Sequence, residues 1–334
     1  MTQGVFSGVG RILAIGDLHG NHAGFKRILR ESGILDARGH WCAWDTHLVQ
    51  LGDILGRGGE PGKIFKLLKR LETEATAFGS RVHVLLGNHE AMSMSGLIVY
   101  NTLEEFRDLS DQDLLGQGGQ GAQRTPSSES ESGNDAERPS SWDGADAGDG
   151  EAAASKPASP ESKYGKRLDM LGAREFRASL SPGGKVGSWL LGHDSAVSIN
   201  GQLFVHAGLN REHGFMPLEE LNDRVRNELS DGGTRRAGQD VMLRRDGPQW
   251  NRDFTLRASD DRGSELREVL DYHGCERMVV GHTPTSVIDR SQPGRILPLY
   301  GEQLYCIDTG IGKTYGENLS ALNLERGAAS ALYF

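Results

Sequence analysis

Five times along this chain a short apolar run gives way at once to residues that bind metals and phosphates. Arg11–Ile15 runs into Gly16-Asp17-Leu18-His19-Gly20, and residues 47–51 run into Gly52-Asp53 with Arg57 close behind. Residues 81–86 lead to Gly87-Asn88-His89-Glu90, a run closing at Val205 delivers His206-Ala207-Gly208, and residues 278–280 deliver Gly281-His282-Thr283. Short, branched apolar runs are the mark of buried strands. Sites in α/β sheets assemble beyond the carboxyl ends of strands. A chain with this pattern is therefore expected to bring five strand ends to one place. The glycines allow tight turns there and keep Cβ atoms clear.

Between the second and third runs the spacing predicts a helix. Pro61 suits its first turn, and Ile64, Leu67, Leu68 and Leu71 share one face. Further helices are expected over 217–229 and 264–273, and a further strand over 304–307. Residues 196–199 and 202–206 flank Asn200-Gly201, a strong two-residue hairpin turn. Strands alternating with helices early, then a hairpin late, indicate an α/β fold: a β-sandwich of mixed sheets flanked by helices.

Residues 117–162 break the pattern. They contain no Leu, Ile, Val, Phe or Met, and their nine acids against three bases carry −6 of the net charge of −9. Such a segment cannot bury enough apolar area to offset the entropy of ordering it. It reads as a disordered acidic insertion in a single domain spanning residues 1–334. The acidic balance argues against a nucleic-acid partner, which would need a basic stripe. No apolar run approaches the ~18–20 residues of a membrane helix. Cys42, Cys275 and Cys306 are odd in number and lack any CxxC, pointing to a reducing compartment. The short, polar N-terminal stretch does not read as a signal peptide, so a cytoplasmic location is expected.

The residues collected at the strand ends are Asp17, His19, Asp53, Asn88, His206 and His282. Mixed imidazole and oxygen donors suit Mn, Fe or Zn. One carboxylate can bridge two ions, and two ions about 3.5–4 Å apart can hold a hydroxide for in-line attack on phosphorus. Arg57 and Arg252 could grip phosphate oxygens bidentately. Taken singly, each of these is an ordinary turn or core residue; their order at successive strand ends carries the reading. His22, His47 and His193 are read as structural or surface residues. Gly312-Lys313-Thr314 looks like the end of a phosphate-binding loop, but Ile307 stands where its first glycine belongs.

The motifs GDLHG, GDILGRG, GNHE, HAGL and VGHTP resemble the series of the metal-dependent phosphoprotein phosphatase superfamily, which has the calcineurin-like metallophosphoesterase fold. DTHLVQLGDILGRGGEP and LLGNHEAMSM are most similar to its Shewanella-like protein phosphatase branch. The resemblance implies that Asp17 and His19, with bridging Asp53, hold one metal. Asp53, Asn88, His206 and His282 would hold the second. Arg57 and Arg252 would bind phosphate, and His89 would protonate the leaving oxygen. Phosphorylated proteins are the implied substrates. A dinucleoside polyphosphate hydrolase shares this metal core, and a non-enzymatic scaffold could share the fold; a scaffold should have lost ligands, and none of the six is missing.

One position departs from the pattern. Gly56 stands where the family usually carries an Asp that orients the histidine acid. Asp308, in CIDTG, is the candidate substitute. Without a carboxylate partner, His89 is expected to have a lower pKa and a looser orientation. That favours leaving groups that depart easily, such as the phenolate of phosphotyrosine, and Gly56→Asp is expected to raise activity on phosphoserine more than on aryl substrates.

Overall fold

A computed structural model describes residues 4–110, 172–231 and 244–334; the 117–162 insertion lies outside the described residues. The described strands form two mixed sheets. One runs, in spatial order, β1 (Val5–Phe6), β5 (Ala196–Ile199), β6 (Gln202–Val205), β7 (Arg277–Val280), β9 (Leu304–Cys306) and β8 (Leu297–Leu299). The other runs β11 (Ala328–Tyr333), β10 (Ser320–Glu325), β2 (Arg11–Ile15), β3 (Thr46–Gln50) and β4 (Arg81–Val84). Within them β2, β3 and β4 are parallel, as are β6, β7 and β9. Each set of three therefore delivers its carboxyl ends to one edge.

Side-chain alternation assembles the layers. In β2, Ile12 and Ala14 join the core between the sheets with Val49, Val197, Phe204 and Val279. Leu13 and Ile15 point the other way, into a core shared with Phe25, Ile28, Phe65 and Leu68 of α1 (His22–Glu31) and α2 (Pro61–Thr76). All four β2 side chains are essentially buried, each worth on the order of 1.5–3 kcal/mol where large. Asn21 caps α1 by accepting the Gly24 N–H at 2.9 Å.

The helix predicted around Ile64–Leu71 is α2, with Pro61 in its first turn. The later helices run Leu218–Ser230 and Asp260–Tyr272; the second starts before its expected position because Ser259 accepts the Arg262 N–H and caps it. The β10–β11 hairpin had no sequence signal: its strands are rich in Ala and Ser, and its turn is Arg326-Gly327, both at positive φ, rather than Asn-Gly.

Short helices line the site and the flanks of the insertion: α3 (Asn88–Met94), α4 (Leu103–Ser110) and α5 (Ala173–Leu180). The Phe106 ring of α4 meets Phe176 of α5 edge-on at 5.0 Å. The described residues on the two sides of that segment thus lie next to one another. Loop closure costs little more as a loop lengthens, so replacing 117–162 by a short Gly/Ser bridge should leave the melting temperature and activity nearly unchanged. A marked fall in either would show that the segment packs on the fold.

Far from the strand-end residues described below, His83 Nε2 lies 3.0 Å from His47 Nδ1, and Phe6 packs edge-on against both rings. Burial first, then the Arg81 charge, pushes the His47 pKa down to about 4. Such a histidine is neutral when folded and titrates near 6.5 when unfolded. Its stabilising contribution is complete above pH ~6.5 and is lost as pH falls toward about 4. Urea titrations across that window should show a shallower acid limb for His47→Gln than for the wild type; parallel limbs would contradict this.

Candidate active site

The strand ends interlock through their backbones. A Cβ on Gly16 would sit 2.6 Å from the Ile307 carbonyl oxygen, so only glycine lets β2 and β9 end side by side. Asp17 accepts the His282 N–H at 3.1 Å, tying the end of β2 to that of β7. The Asp53 carbonyl accepts the Leu18 and His19 N–H groups at 3.0 and 2.9 Å. Its carboxylate Oδ1 accepts the His89 N–H at 3.0 Å. Glu90, fully buried, accepts N–H groups from Asp53, Ile54, Leu55 and Gly87 at 2.8–3.0 Å. His19, Asp53, Arg57 and His282 all adopt positive φ, a left-handed conformation that persists only where the surroundings over-determine it.

The ring orientations are fixed by carbonyls. His19 Nδ1 lies 3.0 Å from Leu55 O and 3.1 Å from Gly56 O, so it carries the proton and leaves Nε2 as an open lone pair. His206 Nδ1 donates to Leu51 O at 2.8 Å, and its Nε2 faces Asn88 Oδ1 at 3.0 Å and Asp53 Oδ1 at 3.5 Å. Two donor groups overlap on one carboxylate: His19, Asp53 and His89, and Asp53, His206 and His282, each within 4.8 Å. Asn88 Nδ2 is buried without a hydrogen-bond partner.

Burial is the largest influence on His19, His206, His282 and Asp17. It pushes His19 down to about 4 and His206 to about 3, and His282 well below the usual range with the Arg252 charge adding to it. Asp17 is raised well above a normal carboxylate by burial and by Asp308, Asp53 and Glu90. Neutral imidazoles with fixed tautomers, converging on a shared carboxylate, are a donor set for divalent cations rather than for a proton network. The two donor groups, sharing Asp53, fit divalent metal ions.

Asp17, His19, Asp53, Asn88, His282, His89, both arginines and Asp308 border one pocket, while His206 is fully buried and not part of its wall. Pro284 and Tyr315 complete its wall. The Arg57 guanidinium lies between the Tyr100 and Tyr315 rings, 5.0 and 5.4 Å from their centroids. His89 packs on Tyr100 at 5.3 Å and edge-on to His19 at 5.0 Å. Its pKa is pushed well below the usual value by burial, then by His19, Arg57 and His206. Its Nε2 lies 3.8 Å from Asp53 Oδ2. Asp308 accepts the Gly310 N–H at 3.1 Å, and its charge acts on Asp17. A separate group, Glu212, His213 and Asp246, offers three donors, but Arg244 already bonds both carboxylates.

A family profile described as calcineurin-like phosphoesterase matches residues 10–145. Over those residues the chain resembles the calcineurin-like phosphoesterases, and along most of its length it is similar to the Shewanella-like protein phosphatases. It is 29% identical to Shewanella-like protein phosphatase 2 of Arabidopsis thaliana, covering 92% of this chain and 73% of that one. Shewanella-like protein phosphatase 1 of Plasmodium berghei is 26% identical, covering 92% and 69%. The crystal structure of a cold-active protein tyrosine phosphatase from a psychrophilic Shewanella species superposes with a TM-score of 0.69. At 18% identity over 100% of this chain and 82% of that one, it shares the fold.

Sequence reasoning missed Tyr100, Tyr315 and the acceptor role of Glu90. Gly56 also has a meaning the motif did not reveal. It sits at φ +79, and a Cβ there would lie 2.1 Å from His89 Nδ1. The imidazole occupies the space a side chain would need, so Gly56→Asp cannot simply restore a carboxylate partner. Gly56→Ala alone should displace His89 and lower kcat on p-nitrophenyl phosphate by at least about tenfold. A fully active alanine variant would show that His89 tolerates displacement.

Proposed function

We propose that this protein is a metal-dependent protein phosphatase that hydrolyses phosphomonoesters by direct attack of water on phosphorus. The observation that carries the reading is the Asp53 carboxylate shared by two donor groups in the same pocket as Arg57 and Arg252. Asp17, His19 and Asp53 would hold one ion, and Asp53, Asn88, His206 and His282 the other. Two divalent ions of the Mn, Fe or Zn kind, when bound, supply Lewis-acid activation of the water and of the phosphoryl oxygens. Arg57 and Arg252 bind and orient the phosphate through paired N–H groups. His89 gives a proton to the leaving oxygen. The names of the Arabidopsis and Plasmodium relatives support phosphoproteins as substrates. The free thiols, two of them buried, suit a reducing cytoplasm. Among the described residues no helix is long and apolar enough to cross a membrane.

Gly56 gives His89 no carboxylate partner, and burial, with the Arg57 charge adding to it, opposes its protonation. Its help to the leaving group is correspondingly weak, which favours phenolate over a serine alkoxide. Phosphotyrosine is the preferred phosphoresidue on this reading. The deciding assay sets Mn²⁺-loaded protein against matched phosphotyrosine and phosphoserine peptides and diadenosine tetraphosphate. Phosphotyrosine peptides should be cleaved fastest. Faster cleavage of phosphoserine would overturn the preference, and faster cleavage of the dinucleotide would overturn the protein-phosphatase assignment.

Asp53→Asn removes the shared anion. It should lower kcat by at least about a thousandfold, roughly 4 kcal/mol of transition-state stabilisation, and reduce bound metal measured by elemental analysis. Near-normal turnover and metal content in that variant would refute the dinuclear reading.

A further inference from the structure

The peptide around Arg57 is held in place by residues outside the pocket. The Arg57 N–H donates to the Tyr100 carbonyl at 2.9 Å. The next residue, Gly58, is gripped on both sides: its N–H donates to Glu105 Oε1 at 3.2 Å, and its carbonyl accepts the Thr102 hydroxyl at 2.8 Å. The same hydroxyl oxygen accepts the Glu105 N–H at 3.2 Å, so Thr102 and Glu105 brace one another at the start of α4. Asn101 Nδ2 donates to Glu105 Oε2 at 2.6 Å, and Ser93 of α3 donates to Asn101 Oδ1 at 3.2 Å. Glu105 is completely buried. Against the other face of the loop, a Cβ on Gly58 would collide with the His19 carbonyl oxygen at 1.6 Å.

This bracket accounts for the conformation of Arg57. A non-glycine residue at φ +67 carries a backbone cost on the order of 1–2 kcal/mol. Bonds to the amide of Arg57 itself and to both polar groups of Gly58 offset it. A long guanidinium side chain loses much rotamer entropy on binding an anion unless its root and its head are fixed beforehand. Tyr100 and Tyr315 constrain the head, and the bracket constrains the root.

We infer that Thr102 and Glu105 are positioning residues for the phosphate clamp, holding the backbone at Arg57 so that its guanidinium meets the phosphoryl oxygens in one orientation. The inference rests on the reading of Arg57 as a phosphate ligand. Neither residue touches substrate. Their removal should act on binding of the phosphoryl group more than on the proton transfer at His89.

The test measures inorganic phosphate binding to the Mn²⁺-loaded full-length protein by calorimetry, beside steady-state kinetics with p-nitrophenyl phosphate. Thr102→Val, which keeps the side-chain volume but removes the hydroxyl, should weaken phosphate binding and raise KM by about five- to tenfold, with kcat within about twofold of wild type. Thr102→Ser, which keeps the hydroxyl, should stay within about twofold in all three. Glu105→Gln places an amide donor among groups that all donate, and should follow Thr102→Val; it decides the matter if the valine variant does not fold. Folded Val and Gln variants that bind phosphate as wild type does would overturn the inference, as would loss of kcat at unchanged KM. Wild-type protein that neither binds phosphate nor cleaves the aryl ester would overturn the phosphatase reading and this inference with it.

Discussion

Buried under the strand ends, the Glu90 carboxylate gathers four backbone N–H groups from two loops that otherwise have no reason to meet. Hydrogen bonds to an ionised acceptor are worth roughly 1.5–3 kcal/mol each, while the left-handed conformation at Asp53 costs about 1–2. The staple therefore outweighs the strain it imposes. It turns the Asp53 carbonyl toward Leu18 and His19 and its carboxylate toward the start of α3. Gly87 permits the approach, since a Cβ there would lie 2.2 Å from Asp53 Oδ1. Without Glu90 those N–H groups would be buried with no acceptor, a penalty larger than the bonds themselves contribute.

From that staple outward, the site is built of backbone held in forms it would not choose alone. His19 is fixed by two carbonyls of the loop that Glu90 anchors, and the same loop continues to Gly56 and Arg57. Gly56 is bare because His89 fills its side-chain space. The missing carboxylate of the family pattern is thus a packing arrangement as well as a change of charge. One face of the loop orients the His19 ring, and the other leaves room for the His89 imidazole. Preorganisation of this kind places the cost of ordering in the fold, before any substrate arrives.

Much of this was legible in the sequence, for a physical reason. The candidate ligands follow strands at short distances, so Asp17, Asp53, Asn88, His206 and His282 announce themselves beside apolar runs and glycines. Pro61 and Asn200-Gly201 mark their helix and hairpin because their backbone preferences are local. Glu90 was visible as a letter of GNHE, but its role as a backbone acceptor depends on the other loop being there. Tyr100 and Tyr315 come from distant parts of the chain and meet only around Arg57. Thr102 and Glu105 lie in an ordinary amphipathic stretch, where a threonine and a glutamate near a helix start read as a cap. The C-terminal hairpin was silent because Ala and Ser have weak strand preference, and its register comes from pairing with β2.

Charge balance links the architecture to the substrate. Asp17, Asp53 and Asp308 are buried carboxylates of one pocket, Glu90 is a fourth buried carboxylate bonded to the Asp53 loop, and Arg57 and Arg252 are the cations of that pocket. The histidines stay neutral, held so by burial. With these acids ionised, carboxylates outnumber cations in a low-dielectric setting, an expensive state that the raised pKa of Asp17 registers. Such a site repels a phosphate dianion. Divalent cations held by these donors would offset that excess and let Arg57 and Arg252 attract a phosphate group, and the need for them arises from the acids that Glu90 and the strand ends force into one place.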